Sequence, residues 1–68
     1  MVDVTIEGDS IRLGQLLKLA NLVDQGADAK ALLARGAVQV NGVVETRRGR
    51  QLVRGDRIRL GAAEVRVS

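Results

Sequence analysis

Val2, Val4 and Ile6 alternate with Asp3, Thr5 and Glu7 at the start of the chain. A period of two puts one face in a core and the other in water, so this segment is predicted to be a half-buried strand. Gly8-Asp9-Ser10 ends it. The period then changes. Leu13, Leu16, Leu17 and Ala20 stand at i, i+3, i+4 and i+7, the spacing that aligns one face of a helix. Ser10 is a candidate cap for that helix. After a break over residues 21–26, Ala29, Leu32 and Leu33 repeat the helical spacing. Asp24 is a candidate cap for this second helix, Asp28 suits its first turn, and Gly36 stands where a glycine closes a helix. Helices this short are not stable alone. Their apolar faces must pack on each other and on a sheet.

The second half returns to the strand period. Val38 and Val40 alternate with Ala37 and Gln39, and Asn41-Gly42 follows. Asn-Gly between apolar runs signals a two-residue hairpin, because a type I′ turn needs positive φ at both central residues. Such a loop sets Val40 opposite Val43. Arg54-Gly55-Asp56 is a second turn; it also spells a tripeptide that some adhesion receptors bind, but the turn reading is the stronger. Ile58 and Leu60 alternate with Arg57 and Arg59, Gly61 marks a last turn, and Val65 and Val67 alternate with Glu64 and Arg66. The order β-α-α-β-β-β-β predicts an α+β fold, with two short helices packed on a small, mostly antiparallel sheet. The 68 residues are expected to form one domain over 1–68.

Composition narrows the chemistry. The chain has no Cys and no His, which excludes disulfides and zinc sites of the usual ligand types. It has no Phe, Trp or Tyr, so bases cannot be stacked on aromatic rings. The glycines are spread singly and match neither a phosphate-binding loop nor a dinucleotide fingerprint. Asp3 and Glu7 share the solvent face of the first strand and read as a solvated edge, not as a paired acid and base. No residue supports an enzyme, and no cofactor or metal is expected. The acidic, alternating N-terminal stretch is unlike a secretory signal. Lys18 and Asp24 interrupt the most apolar run, LLKLANLVD, which is too short to span a bilayer. A soluble cytoplasmic protein is expected.

Charge adds the functional signal. Residues 1–34 hold three basic and five acidic side chains, and residues 35–68 hold eight basic and three acidic, giving −2 and +5. Arg47, Arg48 and Arg50 crowd a glycine-containing loop just after the hairpin. Such a cluster is either solvated surface or a contact for an anion. Guanidinium forks match phosphate geometry, and an anionic partner would relieve the repulsion. Glu45 is placed to neutralise part of it. Lys30 and Arg35 lie on opposite flanks of the second helix's polar arc.

The stretch RLGQLLKLANLVDQGADAKALLARGAVQVNG, followed by ETRRGRQLVRGDRIRL, resembles the RNA-binding domain first described in small-subunit ribosomal protein four. Ala29-Lys30, Leu32-Leu33, Gly36, Val38, Val40 and Asn41-Gly42 carry the most specific part, a helix running through glycine into a hairpin. Gly55-Asp56 before an alternating strand is the second part. Glu45 to Arg50 with Leu52 is similar to the free-standing, single-domain bacterial subgroup. The resemblance implies the alpha-L RNA-binding motif, in which RNA lies along the start of the first helix, the second helix and the hairpin side. It implies RNA contacts at Arg12, Lys30, Arg47, Arg48 and Arg50; Arg35 joins them as a further basic residue of the second helix. Many members have Asp where this chain has Gly14, and many ribosomal versions have Arg where it has Gly26. The expected function is non-catalytic binding of structured RNA, ribosomal or transfer, by a monomer. The other reading is a protein–protein adaptor, or an accessory subunit of a ribosome-associated or RNA-modifying complex, docking through strand edges at Val2–Ile6 or Val65–Val67.

Overall fold

In the computed structural model, which describes residues 2–68, the predicted elements are all present and two very short strands are added. Strand β1 (Val2–Val4) is followed by β2 (Ile11–Arg12), α1 (Leu13–Leu19) and α2 (Gly26–Ala34). The hairpin β3 (Val38–Val40) and β4 (Val43–Val44) comes next, then β5 (Gln51–Leu52), β6 (Arg57–Leu60) and β7 (Ala63–Val67). The main sheet runs β1-β7-β6-β3-β4 and is antiparallel except where β1 lies parallel to β7. The additions, β2 and β5, pair with each other and tie the entrance of α1 to the end of the arginine loop.

The period-two and period-3.6 patterns meet in one core. Leu13, Leu16 and Leu17 from α1 and Ala29 and Leu33 from α2 pack with Val38, Val40, Ile58, Val65 and Val67 from the sheet. Leu52 is fully buried in the same cluster, so β5 is an anchor for the loop before it. β7 lies between β1 and β6. Its backbone groups are paired on both sides, so Val65–Val67 is not an edge that a partner strand could extend; the edges are β1 and β4.

Neither helix is capped where the sequence suggests. The residue before α1 is Arg12, not Ser10. Its first amides are met from elsewhere in the chain: Leu13 N–H donates to the Arg50 carbonyl at 2.8 Å and Gly14 N–H to the Arg48 carbonyl at 3.0 Å. Gln25, not Asp24, precedes α2, with no side-chain cap, and Asp28 lies in its first turn as expected. Both helices close in the same way. Gly36, at φ 72°, follows α2, with Gly36 N–H on the Leu33 carbonyl and Ala37 N–H on the Leu32 carbonyl. Asn21, at φ 59°, does the same for α1, with bonds from Asn21 and Leu22 to Lys18 and Leu17. These paired bonds satisfy the last carbonyls of each helix.

The hairpin follows the Asn-Gly reading. Asn41 and Gly42 have φ of 52° and 85°, and Val40 faces Val43. Asn41 also works beyond its own turn. Its Nδ2 donates to Asp56 Oδ1 at 3.1 Å, and its Oδ1 accepts from Arg57 N–H at 3.0 Å. Asp56 Oδ2 accepts from Val53 N–H at 2.9 Å. The two turns are thereby joined at one end of the sheet.

Candidate nucleic-acid interface

The arginine loop is built around Glu45, which is buried with 7% of its surface exposed. Its Oε2 accepts from the backbone N–H groups of Thr46 and Arg47 at 3.0 and 3.1 Å and from Arg47 Nε at 3.3 Å. Its Oε1 accepts from Arg47 Nη2 at 3.3 Å and Arg50 Nη1 at 3.1 Å. A buried carboxylate is costly unless its lone pairs are filled, and here five N–H donors fill them. The Arg47 side chain, then its backbone N–H, then Arg50 hold the carboxyl down to about 2, from an ordinary 4.5, against the opposing effect of burial. The same contact raises the pKa of Arg47.

The three loop arginines therefore differ. Arg50, whose side chain is 33% exposed, clamps Glu45 from one side. Arg47 offers Glu45 its bidentate edge but leaves 76% of its side chain in solvent. Arg48 makes no ion pair or side-chain hydrogen bond among the described residues; it lies against α1. Together with Arg12, Gly14, Gln15, Lys18, Ala29 and Gly49 it lines a groove of about 290 Å³ between the loop and the two helices. The structure thus brings Arg12 and Arg48, far apart in sequence, to one groove. Lys30 is exposed and adjoins the groove residue Ala29 along α2. Arg35 stands apart, lining a separate depression with Asn21, Asp24, Asp28 and Leu32.

Lys18 is the groove cation that the sequence reading overlooks. Its signal was available: Gly14 and Lys18 are four apart, so they share a helix face. Among the described residues no group of His, Cys, Asp and Glu is arranged to hold a metal ion, and no helix is long and apolar enough to cross a membrane.

A basic groove between two short helices and a loop tied to a hairpin sheet defines a class, and comparison with known proteins identifies it. The chain belongs to the S4 domain family, which it matches over residues 4–68. The solution structure of YbcJ from E. coli, described as revealing an alpha-L motif involved in RNA binding, superimposes with a TM-score of 0.75 at 34% identity, over 98% of this chain and 86% of that one. The "Probable ribosome maturation protein RlbA" of Bacillus subtilis is 43% identical over 53 residues, 78% of this chain and 75% of the relative. A tyrosine–tRNA ligase of Pseudoalteromonas translucida is 51% identical over 39 residues, which is 57% of this chain and 10% of the ligase. The alpha-L fold expected from the resemblance is the fold observed.

Proposed function

We propose that this protein binds structured RNA, ribosomal or transfer RNA, in the cytoplasm and without catalysing a reaction. The observation that carries the reading is the convergence of Arg12, Lys18 and Arg48 on one groove. Family membership and the alpha-L motif of the YbcJ structure support RNA as the anion. The names of the Bacillus subtilis relative and of the ligase support ribosomal or transfer RNA as its kind. With no aromatic side chain, recognition rests on phosphates and on shape. Arg12, Lys18, Lys30 and Arg48 engage the backbone around the groove. Arg47 adds charge from the exposed side of the loop, Arg50 mainly holds the loop in shape, and Arg35 meets only RNA that extends past α2.

Salt titration of the binding constant tests this. Neutralising roughly four to six phosphates gives a log–log slope of roughly −3 to −5. A response that is flat between low and moderate salt would refute the electrostatic mechanism.

A further inference from the structure

Gly14 lies inside α1 with no positive φ, so backbone conformation does not explain a glycine there. Glycine is also the poorer helix former, and fold stability alone favours alanine at such a position. Space explains it. A methyl group at Gly14 would stand 2.5 Å from Cγ and 3.2 Å from Cδ of Arg48, but at an ordinary 3.5 Å from the Arg48 carbonyl oxygen. The loop backbone, held by the Gly14 N–H bond, could stay where it is. The Arg48 stem could not. Cγ is close to the main chain, so relieving the clash means changing the first side-chain torsion and swinging the guanidinium out of its present course along the groove.

We propose that Gly14 is a positioning residue: its missing side chain seats the stem of Arg48 across α1 and makes Arg48 the loop arginine that meets RNA phosphate. This rests on the RNA-binding reading above and deepens it. Glu45 takes the bidentate edge of Arg47 and clamps Arg50, whereas Arg48 keeps its whole donor fork. Arg48 is exposed, and its neighbour Gly49, also exposed, puts no side chain between that fork and an approaching phosphate.

The test is Gly14→Ala in the full chain, measured for thermal stability and for binding to unfractionated ribosomal and transfer RNA across a salt series. The expected result is an unchanged or higher Tm together with roughly tenfold weaker RNA binding, the loss of one charge-assisted contact. The log–log salt slope becomes shallower by about 0.7–0.9, one phosphate. In an Arg48→Ala background Gly14→Ala should cost nothing further. Unchanged affinity and slope, or an equal loss in the Arg48→Ala background, overturns the proposal. If Gly14→Ala lowers Tm, the decision falls to Arg48→Ala against Arg47→Ala. The first must lose more affinity than the second, and the reverse order overturns the proposal. Absence of salt-dependent binding by the unaltered protein would refute the RNA reading itself, an outcome distinct from all of these.

Discussion

Glu45 shows how one side chain sets the character of its neighbours. A carboxylate among arginines can be read as simple neutralisation, and its net effect on charge is only that. Its geometric effect is larger, because five donors converging on two oxygens fix the backbone at Thr46 and Arg47 and the side chains of Arg47 and Arg50. The pH consequence follows from the lowered pKa. Folding keeps Glu45 ionised more readily than the unfolded chain does, so its stabilisation is fully present above about 4.5 and is lost as pH falls toward about 2. We expect loop order, followed by amide resonances of residues 46–50, to hold to well below pH 4.5 and then decline. In Glu45→Gln the loop should be less ordered already at neutral pH, with no such acid transition. A transition of that loop centred near 4.5 in the unaltered protein would contradict the arrangement.

At the scale of elements, what the sequence disclosed depended on whether the determinants were local. Both helices and the hairpin were legible because leucine spacing, Gly36 and Asn41-Gly42 act within a few residues. The cap of α1 was not, because its acceptors are the carbonyls of Arg48 and Arg50, and no local rule points from Leu13 to that loop. β2 and β5 were invisible for another reason, since two residues contain no period. The Arg12–Arg48 groove depends on the same non-local bonds; the resemblance named Arg12 and Arg48 but not Lys18, and that the three share one groove emerged only from the packing. Local determinants also give firm expectations for substitutions. Gly36→Ala forces a β-carbon into a left-handed conformation, at about 1–2 kcal/mol, while Val44 Cγ1 at 3.5 Å leaves room for it. Urea unfolding should show that loss as a lower midpoint with an unchanged slope. A neutral result would mean that the close of α2 tolerates a different backbone.

Across the whole molecule, the basic second half of the sequence is not a basic half in space. Arg66 makes a bidentate pair with Asp3, Arg54 donates to the Ile6 carbonyl at 2.9 Å, and Arg59 lies opposite Glu64 in the sheet. Arg57, Arg59 and Arg66 belong to the main sheet and not to the groove. The linear count of +5 therefore overstates any single face, and only some of those arginines can serve an RNA site. The Asp3–Arg66 pair also spans 63 positions of sequence. Because β1 lies parallel to β7, and Ile6 and Ser68 extend that pairing through Ile6 N–H to the Ser68 carbonyl and Ser68 N–H to the Val4 carbonyl, β1 precedes every other strand of this sheet and pairs with the last of them. In a nascent chain the bonds that end α1 and α2 and turn the hairpin span few residues, but the core on which the short helices depend is incomplete until β7 has been made, and such long-range pairing is the slow part of folding. Deleting residues 63–68 should leave β1 unpaired, strip one side of β6 and take Val65 and Val67 out of the core, so amide exchange should speed up in β1 and in both helices, and helices that stayed protected would show that they do not need β7. The order of synthesis thus sets the order of closure: the helices gain the whole of the sheet they pack on only when β7 joins it.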